Sequence, residues 1–127
     1  MKQIITTDKA PKAVGPYSQA VAIPCKELMF CAGQIPLDPT TQKMVEGDVG
    51  VQTKQALENV KGLLESAGTR LEHVVKTTVF LTTMSDFAAM NEVYTQYFPT
   101  DPPARSAVAV KELPLGAQVE IEVIAYR

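Results

Sequence analysis

The sequence has little of what most catalytic and binding centres are built from. Its 127 residues include one histidine, two cysteines and no tryptophan. His73 stands alone, which leaves few ways to assemble a Ser-His or Cys-His dyad. Cys25 and Cys31 lie close together with no second pair, which is not a zinc-binding spacing. No run of lysines or arginines occurs, and 12 basic against 14 acidic side chains give a net charge of -2, so the electrostatic footprint of a nucleic-acid binder is missing. No apolar stretch approaches the roughly 18 residues of a membrane span, and the N-terminal segment has neither the apolar run nor the small-residue cleavage site of a secretion signal. The expectation is a cytoplasmic protein with reduced thiols, no membrane partner and no metal. Within Leu28-Met29-Phe30-Cys31-Ala32, Cys31 reads as a small core residue.

What is present fits a single domain spanning 1–127, with 46% hydrophobic and 20% charged residues. Nine prolines punctuate periodic segments rather than marking a linker. Apolar alternation predicts strands over 4–6, 18–23, 28–32, 74–81, 107–110 and 118–125. Val75, Thr77, Val79 and Leu81 share one expected face; Val119, Ile121, Val123 and Ala125 share another, opposite Glu120, Glu122 and Ile124. A helix is expected over 51–67, with Ala56, Val60, Leu63, Leu64 and Ala67 at helical spacing and Gly68 ending it. A second follows Ser85 as N-cap, with Asp86 in its first turn and an apolar stripe of Phe87, Met90, Val93, Tyr94 and Tyr97, until Pro99 stops it. The order β-β-β-α-β-α-β-β predicts an α+β fold, a mixed sheet with two helices on one face. Its other face, carrying Phe80, would be left uncovered. Such a face predicts self-association, unless the loop of residues 36–49 folds over it.

Few side chains remain to do chemistry. Arg105, ahead of the apolar run from Ala107 to Val110, cannot be deprotonated; pointing inward, it must meet a protein carboxylate or stay free for an anionic ligand, which its planar fork grips with two hydrogen bonds. Glu120 and Glu122 share a side of the last strand, and whichever lines a cleft could hold a water or move protons. The Tyr17 hydroxyl could bond a ligand or satisfy a backbone carbonyl. Gly33, at a strand end, permits close approach of a ligand or simply makes a turn. Asn91 could bind across an interface or face water.

The fragments Gly15-Pro16-Tyr17-Ser18-Gln19-Ala20, Gly33-Gln34-Ile35-Pro36-Leu37-Asp38-Pro39, Val75-Lys76-Thr77-Thr78-Val79-Phe80-Leu81, Pro103-Ala104-Arg105-Ser106 and Val119-Glu120-Ile121-Glu122-Val123-Ile124-Ala125, in this order, resemble the RidA/YjgF/UK114 family of reactive-intermediate deaminases over nearly the whole chain. The resemblance implies a homotrimer of the kind also seen in a trimeric chorismate mutase, with clefts between subunits. It implies hydrolysis of enamines and imines, such as 2-aminoacrylate, 2-iminopropanoate and 2-iminobutanoate, to 2-keto acids and ammonia without a cofactor. By motif, Arg105 matches the carboxylate clamp and Glu120 the acid that positions or activates water. Tyr17, Asn91 and the backbone at Gly33 match cleft positions, and Ala107 falls at a substrate-contacting one. Ala32 stands where many members have serine and Ala107 where well-known members have cysteine, so no role here rests on a hydroxyl or thiol at those places. A trimer that binds small carboxylates and regulates a partner without catalysis, and a ribonuclease or translation inhibitor, are the alternatives attached to such a chain; the net charge speaks against the last.

Overall fold

The structure, a computed structural model, describes residues 2–24 and 27–127. Cys25 therefore lies outside the described residues. The elements follow the expected order: β1 (Gln3–Ile5), β2 (Ala20–Ala22), β3 (Leu28–Phe30), α1 (Val49–Ser66), β4 (Val74–Leu81), α2 (Phe87–Tyr97), β5 (Ala104–Ala109) and β6 (Val119–Tyr126). β1 and β2 form an antiparallel pair, and the other four strands make a mixed sheet in the order β3-β6-β4-β5. β4 and β5 run parallel, joined by α2 as a crossover, whereas β6 is antiparallel to both its neighbours. A bridge between Ser18 and Ala104 ties the β1-β2 hairpin to the β5 edge.

Local chemistry sets the helix ends. The Asp48 side chain accepts a hydrogen bond from the Val51 amide at 3.0 Å, so α1 starts earlier than its apolar spacing suggests. Gly68, at φ 79°, provides the left-handed residue that ends it. Its buried stripe runs through Val49, Thr53, Ala56, Leu57, Val60 and Leu64. Leu63, expected inside, is exposed at the edge of that stripe. The cap before α2 also differs from expectation. Thr83, not Ser85, accepts a side-chain hydrogen bond, from the Ser85 amide, and a 3-10 turn at Met84–Asp86 leads into the helix. The earlier hydroxyl wins because the chain tightens before α2 begins.

Both helices cover one face of the sheet. Their buried side chains, with Val74, Val79, Leu81, Val119, Ile121, Val123 and Ala125, form the core. In β4 a register shift between Val74 and Lys76 puts Val74 inside and leaves Val75 half-buried, which corrects the expected Val75 face. The helix-free face carries the rows Phe30-Ile124-Lys76-Ala104 and Glu120-Phe80-Val108, because paired residues on neighbouring strands project to the same side. Phe30 is 74% exposed there, and Leu28 and Val108 are exposed as well. The segment after Ile35 packs on α1 instead of crossing this face: Asn59 donates to the carbonyls of Ile35 at 3.2 Å and Leu37 at 2.8 Å, and Gln52 reaches the Val45 carbonyl.

Candidate active site

Strand β5 begins at Ala104, earlier than its apolar run suggests, because parallel pairing with β4 starts at Lys76–Ala104. Arg105 is therefore a strand residue paired with Thr77, and since Thr77 is buried under α2, Arg105 projects toward the helices. Its Nη1 donates to Asn91 Oδ1 at 2.6 Å. Three rings surround the guanidinium, with centroids at 4.8 Å for Tyr94, 5.3 Å for Phe87 and 5.8 Å for Tyr17. A Cβ added at Gly15 would lie 3.8 Å from Nη2, so the backbone of residues 15–17 forms the remaining wall.

Among the described residues no carboxylate joins this cage. Among the described residues the one salt bridge is Arg127 with Glu27, at the opposite end of the sheet. Burial lowers the Arg105 pKa, partly opposed by Tyr94 and Tyr17, yet a guanidinium remains charged at any working pH. Desolvation also pushes the Tyr94 pKa up to about 12, so its neutral hydroxyl shares a 2.8 Å hydrogen bond with Thr77 and holds the ring against the guanidinium. A half-buried guanidinium with one neutral amide acceptor and aromatic walls keeps donor N–H groups to spare.

Asn91 thus bonds Arg105 rather than facing water. The Tyr17 hydroxyl accepts the Val14 amide at 3.3 Å, a backbone donor where a carbonyl had been one expectation. That contact occupies an oxygen lone pair and leaves the phenolic proton free to donate. Ala107 follows Arg105 on the same side of β5 and packs against the core. Phe87 and Tyr94 belong to the cage although sequence reasoning placed them only in an apolar stripe. Their spacing from Asn91 on one helix was the available signal, but it becomes specific only when β5 lies beneath. Cys31 is half-buried against the core, and burial raises its pKa, away from a nucleophilic thiolate.

Glu120 and Gly33 form a separate cluster. Cys31 pairs through its amide with Val123 and Gln34 exchanges two backbone hydrogen bonds with Ile121, so Ala32 and Gly33 bulge opposite Glu122. The bulge brings Gly33 beside the Glu120 carboxylate: a Cβ at Gly33 would overlap it, lying 2.9 Å from Cδ. Glu122, on the same side of β6, is exposed. Between the two acids, Glu120 is the one against the strand-end glycine.

The two clusters do not meet within one chain. Arg105 lies in the row Arg105-Thr77-Val123 on the helix side, while Glu120 lies in the row Val108-Phe80-Glu120 on the open side. Ideal strand spacings put their Cα atoms roughly 14 Å apart, with side chains pointing to opposite faces. Arg105 lines none of three surface clefts of about 480, 490 and 560 Å³, although Gly33 borders the second and Tyr17 the third. Among the described residues no group of three His, Cys, Asp or Glu side chains could hold a metal ion.

The sequence profile described as Endoribonuclease L-PSP matches residues 7–127. The chain belongs to this family, the YjgF/RidA family. It is 54% identical to a RutC family protein of Pyrococcus horikoshii over 127 residues, covering 100% of this chain and 99% of that one. Human 2-iminobutanoate/2-iminopropanoate deaminase is 45% identical over 125 residues, 98% of this chain and 90% of the human one. The crystal structure of RidA from an Antarctic Psychrobacter superposes with a TM-score of 0.77 at 46% identity, covering 98% of this chain and 99% of that one. The RidA fold is thus this α+β arrangement, and the family includes proteins named as imine deaminases. No helix among the described residues is long and apolar enough to cross a membrane.

Proposed function

We propose that this protein is a Rid-type imine deaminase, hydrolysing 2-aminoacrylate and its tautomer 2-iminopropanoate, and 2-iminobutanoate, to 2-keto acids and ammonia. The observation that carries this reading is Arg105, a half-buried guanidinium with an amide and three rings around it and no carboxylate among the described residues. A 2-imino acid supplies the missing carboxylate as part of the substrate. The human relative's name gives the matching chemistry.

The reaction asks little else of the protein. Arg105 takes the substrate carboxylate in a two-pronged grip, and the Tyr17 proton donates to the same group. This orients the imine carbon, already electrophilic when its nitrogen is protonated. Glu120 accepts a proton from water as the oxygen attacks that carbon, giving a tetrahedral carbinolamine. Glu120 passes that proton to nitrogen and, again a carboxylate, takes the hydroxyl proton as the C–N bond breaks and the C=O bond forms; ammonia leaves and carries this last proton away as ammonium, with no change in oxidation state. No covalent intermediate is needed.

Because Arg105 and Glu120 face opposite sides of one sheet, the reading requires two copies: Arg105, Asn91 and Tyr17 from one, Glu120 and Gly33 from the next. The open sheet face with exposed Phe30 and Val108 is the surface through which a homotrimer of single 1–127 domains would form. The test is the decay of the enamine absorbance produced by a threonine or serine dehydratase, with and without this protein. Acceleration is expected, and Arg105→Ala should lower kcat/KM at least about 100-fold while the assembly persists by sedimentation. Full activity in Arg105→Ala would reject the clamp. An assembled wild-type protein that binds 2-ketobutyrate without accelerating the decay would be a small-carboxylate-binding regulator instead.

A further inference from the structure

Tyr17 and Gly15 reach Arg105 from a loop, residues 6–17, that has almost nothing packed beneath it. Every residue from Asp8 to Gly15 is exposed, and Val14 is 86% exposed. Between this loop and the hairpin lies an open cleft of about 560 Å³, lined by Thr6, Asp8, Lys12, Tyr17 and Gln19 among others. A loop without a buried underside keeps its shape by hydrogen bonds, and here they converge on one side chain. Gln19 Oε1 accepts the Thr7 amide at 2.7 Å, while Nε2 donates to the carbonyls of Pro11 at 2.6 Å, Thr7 at 3.1 Å and Ala10 at 3.3 Å. The loop's exit is fixed separately: the buried Ser18 bonds the Pro102 carbonyl through its hydroxyl and the Pro103 carbonyl through its amide. Gln19 therefore holds the outgoing half of the arch and Ser18 holds the return.

We infer that Gln19 is a positioning residue for the carboxylate site, acting through the loop on Tyr17. The link runs through Val14, whose amide donates to the Tyr17 hydroxyl and so directs the remaining phenolic proton outward. Where residues 7–11 are held, Val14 is presented to Tyr17, the ring stays over Arg105, and Gly15 closes the wall. Released, the loop gives up the Val14 contact, and the hydroxyl proton is no longer aimed. Gln19 touches neither substrate nor reacting atoms, so its contribution falls on ground-state capture of the carboxylate. This inference rests on the imine-deaminase reading.

The experiment compares wild type, Gln19→Ala, Tyr17→Phe and the double variant, with imine turnover, 2-ketobutyrate affinity and amide hydrogen exchange measured on the assembled protein. Gln19→Ala is expected to raise KM and the 2-ketobutyrate Kd about 5- to 30-fold with kcat within about twofold, and to speed exchange at the Thr7 amide but not in α1 or β4. Tyr17→Phe should cost a similar factor alone and little more in the Gln19→Ala background, because the two changes remove one interaction. Gln19→Glu keeps the acceptor for Thr7 but turns an oxygen on three carbonyls, so it should not restore KM. Independent, multiplying effects of Gln19→Ala and Tyr17→Phe, or a loss confined to kcat, would overturn the inference. Should Gln19→Ala fail to assemble, Tyr17→Phe and Gln19→Glu decide it: unchanged KM in both overturns it. A wild-type protein with neither turnover nor 2-ketobutyrate binding would bring down the deaminase reading itself, and this inference with it.

Discussion

Opposite placement of Arg105 and Glu120 makes a quantitative prediction about mixed assemblies. Arg105→Ala and Glu120→Ala are each expected to be inactive, since each copy would bring one broken half to every cleft. Co-expressed with different affinity tags and purified through both, the two variants form assemblies that contain at least one copy of each. In a cyclic trimer each cleft takes Arg105 from one copy and Glu120 from the next. Going round a ring with two copies of one variant and one of the other, a single cleft receives an intact Arg105 and an intact Glu120. Doubly tagged trimers should therefore recover about one third of wild-type turnover, whichever variant is in excess, and a cyclic dimer about one half. The assay is enamine decay under saturating dehydratase, normalised to protomer concentration, with sedimentation on the same sample. Doubly tagged trimers no faster than their parents would refute the shared cleft and require both groups to act within one chain, against the sheet register. Full activity in Glu120→Ala alone would remove Glu120 from the chemistry.

Phe30→Asp places a charge on the most exposed large apolar side chain of the open sheet face, 74% accessible, and is expected to convert the assembly to monomer by sedimentation while the circular-dichroism spectrum is kept; an unchanged trimer would relocate the interface. Thr53 is fully buried in α1 with its hydroxyl unpaired among the described residues, so the isosteric Thr53→Val should stabilise by about 1–3 kcal/mol. That corresponds to a Tm rise of roughly 4 °C per kcal/mol for a chain of this size, and a lower Tm would show that the hydroxyl is satisfied. Burial, then Arg70, lowers the His73 pKa below 6.5, so the folded state favours the neutral ring stacked 4.6 Å from Tyr126. A base depressed on folding contributes stability above its unfolded pKa and loses it as pH falls through about 6.5. Thermal unfolding from pH 7.5 to 5 should show this loss, and His73→Phe should flatten it; an identical slope in the variant would assign the effect elsewhere.

Much of the fold was legible because its cues are local. Strands β4 and β6 and both helices announce themselves by alternation, spacing, Gly68 and Pro99, and each lies within two residues of its expected bounds, whereas β5 opens three residues early, at Ala104. The misses share a cause. Val75 was assigned to the inner face by strict alternation, but the register shift beside it exchanges it for Val74. Leu63 belongs to an apolar spacing that continues past the width of the neighbour that α1 covers. β5 opens on a charged residue whose strand pairing comes from β4, and nothing within the segment signals that partner.

The candidate site divides in the same way. Residue chemistry alone determined that Arg105 needs an anion if it points inward, that one histidine and two cysteines leave little room for a nucleophilic dyad, and that Glu120 and Glu122 share a side. Tertiary structure decided that no carboxylate among the described residues answers Arg105, that Asn91, Phe87 and Tyr94 close around it, and that a bulge at Ala32 and Gly33 sets Glu120 rather than Glu122 against Gly33. It also decided that Arg105 and Glu120 look away from each other. Side-chain alternation is set by each strand's own backbone and so can be read along the chain. Which side meets the helices, and which charge is left without a partner, depends on strand register and packing between segments far apart in sequence.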